Sequence, residues 1–324
     1  MKRPRVCVLR TGGTNCDRET AFAFEQAGAD TQAVHVNRLI NRPDNIHDFH
    51  ILALPGGFTY GDDVAAGKIL ANEIRYHLRD DIRRFIDDGK LVIGICNGFQ
   101  VLVKAGLLPG NSGTKGHPAL SERRVRTPVQ HPVQSEERVR VSTQHPALPE
   151  RRVRVSTQPP ARQEVSLIIN DSGKFEDRWV YLKSEPFSTR GVENGSRCVW
   201  TEGLPEVIYL PVAHGEGKFV VGDAGTLSRL REDRQVVFRY SDARGKRTDY
   251  PGNPNGSVDD IAGICDTTGR ILGLMPHPER HAGSVQHPRW TGERETRPAG
   301  VSPDAAGDGL RIFQNGVRYA QELM

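Results

Sequence analysis

Residues 91–100 read L-V-I-G-I-C-N-G-F-Q, an apolar run followed by Gly94-x-Cys96-x-Gly98 and the start of a helix-forming segment. An unbroken apolar run is typical of a strand that is buried on both faces of a sheet. Where such a strand turns sharply into a helix, small residues are required two positions on either side of the turn residue, because larger side chains would collide. The stretch therefore predicts an α/β fold in which Cys96 occupies a strand-to-helix turn.

Cys96 is the candidate nucleophile. A single cysteine at the end of a buried strand is most often a small core residue. The flanking glycines, the change from strand to helix and the polar Asn97 favour a reactive thiol instead. The N-terminus of the following helix would stabilise a thiolate and present amide groups to a developing oxyanion.

Strands and helices alternate on both sides of this turn. Helices are predicted over 17–26, 70–85 and 310–320, and strands over 6–9, 31–36, 51–54, 91–95, 207–212, 219–221, 236–240, 261–265 and 271–274. Such alternation predicts a mostly parallel central sheet with helices on both faces. The later strands have no long helices between them, so we expect them to add antiparallel strands to the sheet.

A basic tandem repeat of fourteen residues interrupts the chain. It reads HPALSERRVRTPVQ at 117–130, HPVQSEERVRVSTQ at 131–144 and HPALPERRVRVSTQ at 145–158. Each copy has few aliphatic residues and cannot build a core of its own. We therefore expect a single domain, residues 1–324, interrupted at about 112–163 by a repeat insertion that forms a surface loop. The histidines of the repeat recur with its period and do not suggest metal ligands.

The net charge of +4 also lies in this segment. From 117 to 163 there are nine arginines and four glutamates, a net charge of +5, which leaves −1 for the rest of the chain. A weakly acidic body with one basic segment is a poor match to a DNA-binding domain, whose positive charge forms a patch on the fold itself. Nucleic acid is therefore not the expected partner.

Composition places the chain among globular proteins. With 36% hydrophobic and 26% charged residues it is neither disordered nor collagen-like nor a coiled coil. No apolar run approaches the length of a membrane-spanning helix, and 6–9 is too short for a signal-peptide core, so we expect a cytoplasmic location without membrane contact. Five scattered cysteines without C-x-x-C spacing indicate neither a disulfide framework nor a structural zinc site.

His277 is the candidate base for Cys96. It lies in Met275-Pro276-His277-Pro278-Glu279, directly after the predicted strand 271–274. The two prolines favour extended backbone, which places His277 and Glu279 on one side, where the carboxylate can orient the imidazole. The alternative is an exposed turn without function, and the position after a buried strand favours the catalytic interpretation.

The segment Pro55-Gly56-Gly57-Phe58 also follows a predicted buried strand. Its glycines would allow backbone N–H groups to approach a ligand closely. An ordinary tight turn has the same composition, so the segment on its own leaves both interpretations open.

Three motifs, L-P-G-G-F at 54–58, G-I-C-N-G-F-Q at 94–100 and P-H-P-E at 276–279, resemble those of the class I glutamine amidotransferases, which implies a flavodoxin-like fold. Five further segments are similar to the glutaminase subunits of phosphoribosylformylglycinamidine synthase. They are G-T-N-C-D-R-E at 13–19, F-T-Y-G-D at 58–62, N-D-S-G-K-F-E at 170–176, H-G-E-G at 214–217 and M-P-H-P-E-R at 275–280. The resemblance covers nearly the whole chain outside the repeats.

The resemblance implies a role for eight residues. Cys96 would attack the side-chain amide of glutamine, while His277, oriented by Glu279, transfers the protons. The other implied site residues are, for the oxyanion hole, the backbone N–H groups of Gly57 and Asn97 and, for the glutamine pocket or its wall, Phe58, Gln100 and His214. No metal ion is implied.

The chain has no recognisable ATP-binding loop. The nearest fragment to G-x-x-x-x-G-K-[ST], at 245–248, has Tyr240 where the first glycine is required. The resemblance therefore implies that this chain carries no cofactor, and that ATP and Mg act on a partner synthetase subunit, accompanied by a small third subunit. Ammonia from glutamine would serve the ATP-dependent conversion of formylglycinamide ribonucleotide to formylglycinamidine ribonucleotide in purine biosynthesis.

Three other interpretations stay open at this point. The chain could serve a different synthetase, because the triad is common to the class. It could be a non-catalytic module that binds nucleic acid through the repeats, with binding that falls steeply with salt and disappears when 112–163 are deleted. It could be a related cysteine hydrolase or peptidase that cleaves peptides without glutaminase activity. The presence of Gln100 after the turn argues modestly against this third interpretation.

Overall fold

A nine-stranded sheet and a two-stranded sheet organise the residues that the structure, a computed structural model, describes: 2–110, 163–185, 198–292 and 305–324. The strands are β1 Arg5–Arg10, β2 Asp30–His35, β3 Ile51–Leu54, β4 Leu91–Ile95, β5 Val165–Ile168, β6 Glu176–Ser184, β7 Val207–His214, β8 Lys218–Val221, β9 Val236–Ser241, β10 Ile261–Cys265 and β11 Ile271–Leu274. The small sheet consists of β5 and β8.

Helices connect or flank these strands. They are α1 Asp17–Gln26, α2 Val36–Asn41, α3 Lys68–Glu73, α4 Arg79–Asp87, α5 Asn97–Ala105, α6 Ala224–Glu232 and α7 Leu310–Glu322. Short 3-10 turns occur at Pro43–Asp48, Thr59–Asp62, Val199–Thr201, Val258–Asp260, Pro278–His281 and Ser284–Gln286, and a π turn at Ile74–Leu78. Among the helices, α1 packs with α7 and α3 packs with α5.

The large sheet has the strand order β2-β1-β3-β4-β11-β10-β9-β6-β7. The first five strands pair in parallel and the remaining four are added antiparallel. Counted by themselves, the parallel strands have the flavodoxin-like order 2-1-3-4-5. Because crossovers are right-handed and run in opposite directions from β1, α1 and α3 lie on opposite faces. The predicted fold class is confirmed. Two of the later strands differ from the expectation, because β11 pairs in parallel with β4 and β8 belongs to the small sheet.

The strands at the centre of the sheet are apolar on both faces. Every residue of β3, β4 and β11 is buried. This follows from their unbroken apolar sequences, because helices cover both faces of a parallel sheet and leave no solvated side for polar residues. The core therefore lies on both sides of β3, β4 and β11.

The helix predicted over 70–85 is present but interrupted, since α3 passes through the π turn into α4. The apolar residues that predicted it, Leu70, Ile74, Leu78, Ile82 and Phe85, are all buried. Most of them are four residues apart, and on a regular α-helix each such step rotates the apolar stripe by about 40°. The wider π turn compensates for this rotation and keeps the stripe facing the core.

Four elements were not predicted: α2, α6, β5 and β6. The nine residues of β6 include Glu176, Asp177, Arg178 and Lys183, so charged side chains obscure its apolar alternation. It is a strand because β7 and β9 pair with its two edges. The helix α6 lies between β8 and β9, where no long helix was expected, and is capped by Asp223, which accepts from the Thr226 N–H at 2.7 Å.

The predicted insertion at 112–163 lies outside the described residues, apart from its last residue. The described residues before and after it belong to one compact unit. Within the described ranges, no helix has the length and apolar character that crossing a membrane requires.

The helix α5 crosses β3 at very close range. A Cβ added to Gly98 would overlap the carbonyl oxygen of Leu54, the last residue of β3. A Cβ added to Gly94 would lie 2.6 Å from the Gly98 carbonyl oxygen. Both glycines that flank Cys96 are therefore required by the crossing of the backbones, as the sequence pattern predicted.

We expect Gly98→Ala to destabilise the protein by about 1–3 kcal/mol, as overpacking of a core does, because the backbone of β3 or α5 must move. The matched control is Gly292→Ala, since a Cβ at that position meets no atom within 4 Å. Thermal unfolding of both variants measures the difference. Equal unfolding midpoints would show that the crossing accommodates a methyl group.

Candidate active site

Cys96 lies on a strained turn between β4 and α5. Its backbone has φ 51° and ψ −106°, a region that residues other than glycine rarely adopt and that is found mainly at functional sites. Its N–H donates to the Leu274 carbonyl at 2.8 Å, and its Sγ lies 3.7 Å from the Ala213 carbonyl oxygen. The side chain is 6% exposed, so the turn holds a nearly buried thiol in a single position.

Most of the predicted site residues follow three neighbouring strands, β3, β4 and β11. Because β1, β3, β4 and β11 are parallel and adjacent, the loops after them meet at one edge of the sheet. Thr14, after β1, forms a β-bridge with Gly57, after β3. A Cβ on Gly56 would lie 2.7 Å from Cε1 of His277, after β11. The loop glycines therefore leave room for the histidine ring.

His277 and Glu279 form a buried pair. Nδ1 of His277 is 2.7 Å from Oε1 of Glu279, and the two side chains are 2% and 0% exposed. The His277 N–H donates to the Pro211 carbonyl at 2.8 Å, which attaches the segment to β7. His277 has φ −104° and ψ 89° and directly precedes the 3-10 turn Pro278–His281 that carries Glu279, so this turn, rather than a continuous extended segment, brings the pair together.

Two opposing effects act on the imidazole of His277. Burial lowers its pKa, because the charged ring is removed from water. The Glu279 carboxylate, with contributions from Cys96 and Cys16, opposes this, and the net result is a pKa well above the ordinary value of histidine. Glu279 therefore both orients the ring and favours its protonated form.

Two backbone N–H groups in the loops at this edge of the sheet are candidates for binding an anion. Gly57 has φ +142°, and a Cβ there would lie 2.7 Å from the Gly13 carbonyl oxygen. Within the described ranges no acceptor is bonded to its N–H. Asn97 is the first residue of α5, where N–H groups have no acceptor within the helix. Both residues were predicted as oxyanion donors from the resemblance.

The predicted pocket residues Phe58 and Gln100 lie in different environments. Phe58 is 45% exposed, and its ring centroid is 6.2 Å from that of Phe175. Gln100 is buried, where its Nε2 donates to the Glu216 carbonyl at 2.6 Å and its Oε1 accepts from Asn97 Nδ2 at 3.0 Å. Protein groups therefore already engage the amide of Gln100, and the role of both residues in a glutamine pocket stays a prediction.

His214, the third predicted pocket residue, is buried at the end of β7. Its Nε2 lies 3.4 Å from Asn255 Nδ2, and its ring packs so closely on Gly217 that a Cβ there would overlap it. Burial, and then the charge of His277, lower the pKa of His214 to about 3. The ring is therefore neutral at neutral pH, and its place in the pocket also stays a prediction.

Cys16 and Arg280 were not predicted as site residues, although both lie in segments that carry the resemblance. Cys16 Sγ is 4.0 Å from His277 Nδ1 and accepts from Arg280 Nη2 at 3.2 Å. Cys16, His277 and Glu279 offer ligand atoms within 4.8 Å of one another, a spacing that a metal ion could bridge. The Arg280 cation and the direct His277–Glu279 bond favour a hydrogen-bonded cluster instead.

A thiol on a strained strand-to-helix turn, with a His–Glu pair at the same edge of a flavodoxin-like sheet, defines an α/β enzyme with a cysteine nucleophile. The chain matches the family model of the CobB/CobQ-like glutamine amidotransferase domain over residues 3–159 and 143–320. Its class is therefore that of the glutamine amidotransferases.

Curated relatives narrow the class to one family. Phosphoribosylformylglycinamidine synthase subunit PurQ of Dehalococcoides mccartyi is 42% identical and covers 100% of both chains. The subunit of Methanococcus maripaludis strain S2 is 39% identical over 98% of this chain and 97% of its own. A chain in the structure of PurLQS from Thermotoga maritima is 27% identical, with a TM-score of 0.58 over 98% of this chain and 99% of that one. The chain belongs to the PurQ family of phosphoribosylformylglycinamidine synthase subunits.

We expect Glu279→Gln to lower the pKa of His277, because burial still opposes the imidazolium once the carboxylate is removed. Histidine carbon resonances followed by NMR against pH measure this pKa, with the His277 signal assigned from a His277→Gln variant. Glu202→Gln is the control, since Glu202 pairs with Arg318 at a half-exposed position. An unchanged His277 titration in Glu279→Gln would contradict the electrostatic role of Glu279.

His214 makes the stability of the protein depend on pH. Its folded pKa of about 3 lies below that of an unfolded histidine, so between these values the unfolded chain binds the additional proton. Stability is therefore lost as pH falls from about 6.5 towards 3, at about 1.4 kcal/mol per pH unit. Urea unfolding between pH 4 and 6 should give a shallower pH dependence for His214→Gln than for wild type. Parallel curves would contradict a buried, neutral His214.

Proposed function

We propose that this chain is the glutaminase subunit of phosphoribosylformylglycinamidine synthase and that Cys96, His277 and Glu279 carry out its chemistry. It hydrolyses glutamine to glutamate and ammonia, and the ammonia is used by a partner subunit. The observation that carries the proposal is the position of Cys96, on a strained turn, at an edge of the sheet that also holds the buried His277–Glu279 pair, in a chain of the PurQ family.

The first half of the reaction forms a thioester. The sulfur of Cys96 attacks the side-chain amide carbon of glutamine, and the carbonyl electron pair moves onto the oxygen. His277 holds the proton that the thiol gives up and donates it to the leaving nitrogen as the C–N bond breaks. Ammonia leaves, and the glutamyl group stays on Cys96.

The second half hydrolyses the thioester. His277 accepts a proton from water as the water oxygen attacks the thioester carbon. When the tetrahedral intermediate collapses, the C–S bond breaks, the sulfur of Cys96 regains a proton, and glutamate leaves. The raised pKa of His277 supports this cycle, because the ring retains its proton until the leaving nitrogen takes it.

The negative oxygen of both tetrahedral intermediates requires donors that are already in place. The N–H groups of Gly57 and Asn97 are our candidates for this oxyanion hole, and one such donor contributes on the order of 3 kcal/mol in other enzymes. Both belong to backbone held by close packing, so little reorganisation is needed when the charge develops.

The proposed partners are a synthetase subunit and a small third subunit. The Thermotoga maritima structure bears the name PurLQS, and the curated relatives are named as subunits of one synthase. We propose that ATP and Mg act on the synthetase, which converts formylglycinamide ribonucleotide to formylglycinamidine ribonucleotide in purine biosynthesis, and that this chain carries no cofactor. A cytoplasmic location is part of the proposal, since the scattered cysteines do not suggest a disulfide framework.

Full-length identity to PurQ subunits favours this assignment over an amidotransferase of another synthetase. The class alone leaves that choice open, because any member has a triad. The identity of the partner synthetase is therefore inferred from the names of the relatives. The mechanism of glutamine hydrolysis is inferred from the geometry of the site.

We expect Cys96→Ala to abolish glutamine-dependent formation of formylglycinamidine ribonucleotide in the assembled complex, because no nucleophile remains. Ammonium chloride should still support the reaction, since the synthetase then receives ammonia directly. Product formation with each nitrogen source is the measurement, and Cys7→Ala, a buried cysteine in β1, is the matched control. Loss of both activities in Cys96→Ala would contradict the division of labour between the subunits.

A further inference from the structure

We propose that Thr59 is a positioning residue, whose hydroxyl holds the loop after β3 against the Cys96 turn between β4 and α5, so that the N–H groups of Gly57 and Asn97 point at one oxygen. The inference rests on the proposed function, because it concerns the oxyanion hole of that reaction. Thr59 lies two residues after Gly57, and its bond partner is the side chain of Asn97 itself.

Thr59 makes two hydrogen bonds to one atom. Its hydroxyl donates to Asn97 Oδ1 at 2.7 Å, and its backbone N–H approaches the same oxygen at 3.4 Å. Thr59 is 3% exposed and Asn97 1%, so water does not compete for either group. A buried amide oxygen that loses its donor is costly to the folded state, which makes this contact a strong constraint on the two backbones.

The rest of the Asn97 amide is also engaged by the protein. Its Nδ2 donates to Asp62 Oδ1 at 3.1 Å and to Gln100 Oε1 at 3.0 Å. The Asp62 oxygen accepts in addition from the Gly67 N–H at 3.1 Å. With both amide protons and the oxygen used, the side chain of Asn97 has a defined orientation and serves to position the backbone rather than to bind substrate.

The loop that Thr59 begins is strained. Tyr60, Gly61 and Asp62 have φ values of 55°, 70° and 53°, and left-handed conformations at residues other than glycine persist only where the surroundings impose them. The Tyr60 N–H donates to the Gly12 carbonyl at 2.7 Å, and the Tyr60 hydroxyl donates to the Glu73 carboxylate at 2.8 Å. Those two contacts attach the loop to the segment after β1 and to α3, whereas the Thr59 contact attaches it to the turn at Cys96.

The expected consequence of Thr59→Val is a loss of oxyanion stabilisation with the thiol left in place. In the assembled complex with glutamine, kcat should fall by at least about 10-fold, while KM changes by less than about twofold. Thr59→Ser retains the hydroxyl and should restore most of kcat. Rescue by serine separates the hydrogen bond from the volume of the side chain.

A second reaction distinguishes a displaced oxyanion hole from a disturbed nucleophile. Iodoacetamide alkylates a thiolate by displacement at carbon: a new S–C bond forms, iodide leaves, and no oxyanion develops. The rate of Cys96 alkylation, followed by mass spectrometry of its peptide, should therefore be the same in Thr59→Val and wild type. The matched control is Thr201→Val, a buried threonine that donates to the Cys198 carbonyl at 3.0 Å and that should retain wild-type kcat.

Three outcomes would overturn the inference: wild-type kcat in Thr59→Val, failure of Thr59→Ser to restore kcat, or alkylation of Cys96 that slows in parallel with kcat. Failure of the proposed function gives a different result, because glutamine turnover by the wild-type complex would then be absent or independent of Cys96. The two failures are therefore distinguished in one set of assays.

Discussion

The close crossing of α5 over the end of β3 is the constraint on which the site depends. Gly98 lies against the Leu54 carbonyl with no space for a side chain, so β4 must reverse within a single residue before α5 begins. That residue is Cys96, and its positive φ is the consequence. Packing of the backbone thus provides the strain, and the strain presents the thiol where the loops after the neighbouring strands meet.

A second level of organisation is electrostatic. Glu279 is fully buried, and its charge is balanced by the imidazole of His277 at 2.7 Å. Removing two charged groups from water is costly, and a fold retains such a pair where function needs a ring of defined orientation and protonation. His214 is the opposite case, because burial and the nearby charge of His277 keep it neutral. The pKa values of two histidines in one site are therefore shifted in opposite directions.

The sequence predicted those strands and turns for which the types of the residues alone restrict the possible structure. The apolar runs of β3 and β4 predicted buried parallel strands, and the Gly-x-Cys-x-Gly pattern predicted the turn. The strand β11 was expected among the antiparallel additions, but it pairs in parallel with β4. The sequence did not reveal β6, whose charged residues obscure its alternation, because pairing with β7 and β9 on both edges makes it a strand. The sequence also did not reveal the π turn. The helical pattern of apolar residues continues across this turn, and the turn is needed only to keep the apolar stripe facing the core.

The sequence by itself determined the class of fold, the strand-to-helix turn at Cys96 and the pairing of His277 with Glu279, because these depend on local geometry: two flanking glycines and two residues in one short segment. Only the tertiary structure decided which side chains from other loops surround these site residues. Cys16 and Thr59 are distant in sequence from their partners His277 and Asn97, and no local pattern links such residues. They meet because parallel strands end at the same edge of the sheet, so the loops after β1, β3, β4 and β11 converge whatever their separation along the chain.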